Sequence, residues 1–359
     1  MAVYTTIDDP SEFFQATTYT GNGGNGHVIT HTGNSDLQAD MVWVKMRNAA
    51  YNQVVYDTNR RPSGTPFSGS LYLLSVGNNY GAGAENTGAY GPTAIGSNSV
   101  TMNSYDTINL NNKTFVAWNW KANGGTTASN TDGSLTSTVQ ANQDAGFSIV
   151  TYTAADSDEV IGHGLGVTPD VIIIKRRDAG SSPWTVFFPY LTSTNKQMYL
   201  NQTTALDTNN VKEVGASTFR VSGWQAVAVA NGTYVAYCFA SKQGYSKFGS
   251  YVGNGNANGT FVYTGFKPAF IMVKTTAVSD EWNIYDTKRS GSNPNNDALY
   301  ASSNVVEDAG STYAFMDMVS NGFKLRRATH SPNKASTYIY MAFAEQPFVT
   351  STGTPATAR

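Results

Sequence analysis

The stretch Gly166-Val167-Thr168-Pro169-Asp170-Val171-Ile172-Ile173-Ile174-Lys175 decides the reading of the fold, because it recurs. It is matched by Gly265-Phe266-Lys267-Pro268-Ala269-Phe270-Ile271-Met272-Val273-Lys274 and, more loosely, by Asp36-Leu37-Gln38-Ala39-Asp40-Met41-Val42-Trp43-Val44-Lys45. Each copy places a run of apolar residues directly before a lysine. The run lacks the apolar/polar alternation of a strand with one wet face, so it reads as a strand buried on both faces or covered by a second sheet.

Outward from that run the likeness continues in both directions. Tyr152 and Tyr251 each precede their lysine by 23 positions, and Tyr19 precedes Lys45 by 26. Tyr19-Thr20-Gly21-Asn22-Gly23 and Tyr251-Val252-Gly253-Asn254-Gly255 share one turn chemistry, with glycine supplying positive φ between strands. Downstream, Trp184-Thr185-Val186-Phe187 corresponds to Trp282-Asn283-Ile284-Tyr285, with Val54-Val55-Tyr56-Asp57 as the first copy. Each copy closes on an aromatic strand: Phe115 to Trp120, Tyr234 to Phe239, and Tyr338 to Phe343. The expected fold is all-β: three internal repeats, each an antiparallel β-sandwich of jelly-roll or lectin-like type. The expected boundaries are an N-terminal segment 1–16, module one 17–121, a Gly/Thr/Ser/Asn-rich linker 122–143, module two 144–246, module three 247–348 and a tail 349–359. The one expected helix starts with Asp9 as N-cap and Pro10 in its first turn and runs to about Gln15.

Composition agrees with sandwiches. Of 359 residues 40% are apolar, enough for a real core, whereas only 13% are charged, about half the usual share. Glycine (34 residues) and aromatics (12%) replace the helix formers a bundle would need. A net charge of −2 provides no basic field for phosphate backbones, so nucleic acid is not an expected partner. No apolar stretch is long enough to cross a membrane as a helix, and Met1 to Asp9 has no signal-peptide pattern. A single cysteine, Cys238, excludes a disulfide framework, and His27, His31, His163 and His330 have no metal-ligand spacing. No cofactor or metal is expected.

Motifs that suggest chemistry have stronger structural readings. Gly21 to Gly26 fits G-x-G-x-x-G, but Val28-Ile29-Thr30 after it is strand-like where a dinucleotide site needs a helix. Cys238 lies in an apolar closing strand and reads as a buried small side chain. His163, between glycines, reads as a hydrogen-bonded or exposed loop residue. Asp156 to Glu159 and Asn130 to Gly133 carry oxygen ligands without a full calcium-loop pattern. Asp57 with Arg60 and Asp286 with Arg289 recur in two repeats and read as capped turns with an ion pair rather than the paired carboxylates of a glycosidase. Sugar contact needs exposed aromatic faces. Trp184 and Trp282 are the conspicuous rings, although each alternates onto the same strand face as Val186 or Ile284, and Trp224, Tyr80 and Tyr90 are the loop alternatives.

Taken together, Ala39 to Arg47, Val116 to Gly125, Gly146 to Tyr152, Gly244 to Tyr251 and Tyr340 to Phe348 resemble a repeat family of tailed-bacteriophage virion structural proteins, common in marine and cyanobacterial phages. The resemblance spans roughly residues 4–348. It implies a tail-fibre-like or lectin-like protein at the virion surface, made in the host cytoplasm without a signal peptide and present in several copies or as an oligomer. Its implied partners are capsid or tail proteins and host surface glycan. It brings no catalytic motif. The expected function is therefore non-enzymatic: a head decoration or knob, or a tail-associated adhesin. The alternative is a virion-associated polysaccharide-degrading enzyme.

Overall fold

The structure, a computed structural model, describes residues 4–60, 74–76, 84–86, 90–180, 182–189, 196–208, 211–310, 315–328 and 331–357. Its first part contains β1 (Phe14–Thr20), β2 (His27–Thr30), β3 (Met41–Met46), β4 (Gln53–Asp57), β5 (Leu74–Val76), β6 (Ala94–Gly96), β7 (Ser99–Met102), α1 (Asp106–Asn109) and β8 (Thr114–Trp120). Then come β9 (Ala128–Asn130), β10 (Ser137–Asn142), β11 (Phe147–Thr153), β12 (Asp158–Gly162), β13 (Val171–Arg176), β14 (Thr185–Phe187), β15 (Lys196–Tyr199), β16 (Asp207–Thr208), β17 (Val211–Val214), β18 (Thr218–Ser222) and β19 (Thr233–Phe239). The last part is β20 (Ser246–Val252), β21 (Phe261–Tyr263), β22 (Phe266–Thr275), β23 (Asn283–Asp286), β24 (Leu299–Tyr300), β25 (Met316–Val319), β26 (Gly322–Leu325) and β27 (Thr337–Pro347).

The protein is all-β, and its large sheets are antiparallel. One strand order occurs in each part. β1-β8-β3-β4-β5 faces β2-β7-β6, and β20-β27-β22-β23-β24 faces β21-β26-β25. Between them, β11-β19-β13-β14-β15 sits inside an eight-stranded sheet facing β12-β18-β17. The β1-β8-β3 and β2-β7 neighbours are those of a jelly roll, but β3-β4-β5 stays in one sheet as a meander.

The unalternated apolar runs are explained by where the large sheets lie. In β13, Ile172 and Ile174 pack inside the second sandwich, whereas Val171 and Ile173 point to a core shared by all three. Val42 and Val44 against Met41 and Trp43 divide in the same way, as do Ile271 and Val273 against Phe270 and Met272. Three sandwiches thus turn the backs of their large sheets toward one another. At the centre the last inward residue of each closing strand meets the other two: Trp120 to Phe239 is 6.5 Å, Trp120 to Phe343 5.6 Å and Phe239 to Phe343 5.8 Å between ring centroids.

Three details depart from the sequence reading. The helix expected to run from Asp9 to Gln15 is one 3-10 turn, Pro10–Glu12; Asp9 caps it as expected, but Phe14 already begins β1, because pairing with β8 outcompetes a short isolated helix. The segment 122–143 is not a bare linker, since β9 and β10 extend the second large sheet by pairing with β11. In the segment expected to be a tail, Val349 bridges to Pro355, and Ser351 donates from its backbone N–H and its hydroxyl to Asp8.

Candidate functional site

Two buried carboxylate–arginine pairs lie in the seams between sandwiches. Asp57 is wholly buried and accepts from the Arg60 Nε at 2.5 Å and from the Tyr237 hydroxyl of the second sandwich at 2.5 Å. Asp286, also wholly buried, accepts from the Arg289 Nε at 2.6 Å and from the Trp118 Nε1 of the first sandwich at 3.0 Å. The expected capped turns and ion pairs are present, with backbone N–H groups of Arg60 and Arg289 donating to Asp57 and Asp286. What sequence reasoning missed is that the same carboxylates also hold the neighbouring sandwich. Burial works against the charge on Arg60, yet Asp57, Tyr237 and Glu85 outweigh it and the guanidinium is held more strongly protonated.

A second layer extends these seams. Glu85 bridges Arg60 and Arg177 at 2.7 Å each, and Glu307 bridges Arg289 at 2.6 Å and Arg47 at 2.7 Å. The third seam takes a different form. Phe188 follows β14 where Asp57 ends β4 and Asp286 ends β23, and Met341 replaces Trp118 and Tyr237; both belong to the shared apolar core. Loss of the donor therefore accompanies loss of the acceptor. One backbone bond nevertheless marks all three seams: Glu85 N–H to Arg177 O (2.6 Å), Glu307 N–H to Arg47 O (2.8 Å) and Leu206 N–H to Thr276 O (3.2 Å).

The lysine ending each apolar run is buried and bonds to carbonyl oxygens. Lys45 donates to Tyr51 and, across a seam, Asn304; Lys274 donates to Thr203 of the second sandwich; Lys175 donates to Ser182. Desolvation depresses all three ammonium groups, Lys45 to about 7 and Lys175 and Lys274 to about 8. The recurrence of Lys after four apolar residues was the sequence signal for this role.

The remaining candidates separate clearly. Trp184 and Trp282 are 1% exposed: Trp184 stacks on Tyr237 and Trp282 donates to the Tyr199 carbonyl, so neither offers a face to a ligand. Cys238 is buried and its thiol is pushed up to about 12 by burial. His163 is buried; its Nδ1 accepts from Leu165 N–H, which leaves Nε2 to donate to the Gly215 carbonyl at 3.2 Å. His31 is buried beside Thr17 and depressed to about 4 by desolvation. Asp158 pairs with Arg220, and Glu159 accepts from the backbone of Ala155 and Asp156. Among the described residues no three His, Cys, Asp or Glu side chains are grouped to hold a metal. Tyr80 and His330 lie outside the described residues.

Of the loop aromatics expected to contact a ligand, Tyr90 and Trp224 are among the described residues and lie at the surface. Tyr90 is 40% exposed and meets Tyr105 edge-on at 5.0 Å. Trp224, partly exposed, meets Tyr199 at 5.7 Å on the wall of a hollow of about 450 Å³. A second hollow, of about 510 Å³, lies between the first and third sandwiches, where Asp9 on its wall is already engaged by Ser11 and Ser35. The Trp224 hollow has the better chemistry for a ligand: an aromatic face among amide and hydroxyl groups, within the size range of small-molecule sites.

A family described as a domain of unknown function, DUF7483, matches residues 9–347, and the chain belongs to it. No curated protein and no solved structure matches.

Proposed function

We propose that this DUF7483 protein is a non-enzymatic structural component of the surface of a tailed-phage particle, as a head decoration or knob or as a tail-associated adhesin that touches host glycan. The observation that carries the reading is the shared core. Three sandwiches are locked back to back by aromatic rings, and the recurring Asp57–Arg60–Glu85 and Asp286–Arg289–Glu307 groups are engaged in the seams that hold them. That is how a rigid building block is made rather than a reaction centre. The particle itself is supplied by the sequence blocks from Ala39 to Phe348 that resemble phage virion proteins. Placement on a repeated surface suits a body with three similar sandwiches, because each further contact adds avidity.

Immunogold labelling of intact virions with antibody against this chain tests the proposal. Label over the head identifies a decoration, and label confined to the tail identifies an adhesin. Unlabelled particles refute the virion role, and release of sugar from host polysaccharide by the purified protein would replace it with the enzymatic alternative.

A further inference from the structure

We infer that the hollow beside Trp224 is a saccharide-binding site for a neutral hexose unit. The inference deepens the proposed glycan contact and rests on it. The wall brings together Trp224, Tyr199, Asp207, Gln202, Gln225 and Ser182. This combination matches one ligand chemistry. A pyranose presents a C–H face that packs on an indole and a rim of hydroxyls that pair with amide, hydroxyl and carboxylate groups. Among the described lining residues the charged side chain is the carboxylate of Asp207, which repels phosphate and uronic or sialic acids.

The wall is built rather than incidental. Tyr199 donates its hydroxyl to Asp207 at 2.7 Å and accepts from Gln197 at 3.0 Å, which fixes the ring that Trp224 meets. The Trp224 turn is closed by Val227 and Ala228 N–H groups donating to its carbonyl. Beneath it, Tyr234 donates to the Gln225 carbonyl and Tyr152 to that of Val227, each at 2.8 Å, and these two rings stack at 5.0 Å. On the other wall the buried ammonium of Lys175 holds the Ser182 carbonyl at 2.7 Å. A site pre-set in this way loses little freedom on binding.

Saturation-transfer NMR on the full chain tests the site, using neutral gluco-, manno- and galacto-oligosaccharides at about millimolar concentration, with sialyl and uronic oligosaccharides as the charged arm. The expected result is transfer to the pyranose C–H protons of at least one neutral series. Binding should weaken ~10-fold or more in Trp224→Ala, be partly restored in Trp224→Phe and be unchanged in Tyr90→Ala. Gln225→Ala, on an exposed side chain, weakens binding without disturbing the fold and serves if Trp224→Ala unfolds. Transfer to none of the neutral series, preference for the charged arm, or equal binding by the Trp224 and Gln225 variants overturns the site. Sugar binding with unlabelled virions refutes the virion role alone, and labelled virions without sugar binding refute this site alone.

Discussion

Asp57 serves two masters: the guanidinium three residues on and a tyrosine from another sandwich. Replacing it by asparagine leaves the wholly buried Arg60 with Glu85 as its remaining carboxylate, so Asp57→Asn should lower unfolding free energy by about 3–5 kcal/mol. Urea denaturation measures this, and an unmoved midpoint would refute the seam as drawn. The recurrence of Asp and Arg was legible in the sequence, but their partners were not, because Tyr237 lies 180 positions from Asp57 and no local pattern encodes that distance. The three depressed lysines set a pH dependence. Their ordinary value is 10.5, against about 7 to 8 in the fold, so between those values the unfolded chain holds more protons and stability should climb as pH rises from about 7 toward 10. Above 10 the buried tyrosines, such as Tyr56 and Tyr152, reverse the trend, since they stay protonated only when folded. Below 6.5, His31, depressed to about 4, makes stability fall with acidification. Melting temperature against pH, with Lys45→Met expected to flatten the alkaline rise, checks the signs; a flat or falling curve from pH 7 to 9 contradicts them.

Strands whose apolar runs face two cores were the easiest elements to read, since burial on both sides leaves a period-free signature. β10 escaped because Ser137 to Asn142 offers only Val139 and Ala141 as apolar residues. Its place comes instead from pairing with β11 and from the Asn59 side chain donating to the carbonyls of Thr138 and Ile149. The Tyr-x-Gly-Asn-Gly turns were legible, but the first glycine is needed for a reason other than positive φ. A Cβ on Gly253 would lie 2.2 Å from the Lys334 carbonyl oxygen, and one on Gly21 2.4 Å from that of Leu110. The second sandwich carries Ala154 at this point of its turn, donating to the carbonyl of Gly232. Gly253→Ala should therefore destabilise by about 1–3 kcal/mol, and hydrogen exchange should show the loosening where β20 meets β27. An exchange pattern like the parent's would show that Lys334 yields without cost. The Trp224 hollow was only half legible: the loop aromatic could be named, whereas Tyr199 and Asp207 reach it through the edge pairing of β15 with β16.

Across the whole molecule, the shared core predicts one unfolding transition. Calorimetry of the full chain should give a single cooperative peak, and Trp120→Ala, at the meeting of three rings, should displace all of it by about 3–5 kcal/mol. Three separate peaks would mean that the sandwiches fold independently. The all-β class was legible in the sequence but the back-to-back arrangement was not, because inward and outward faces of the large sheets are equally apolar. The polar seam between the first and third sandwiches has a consequence for assembly. It joins parts of the chain that are not sequence neighbours, with Trp118 on one side and Asp286 on the other. If that seam opened, each molecule would carry both halves of an unlike, self-complementary joint. Copies could then link head to tail into an unbounded polymer. Closure of the ring inside a single chain is what terminates that polymer at one molecule.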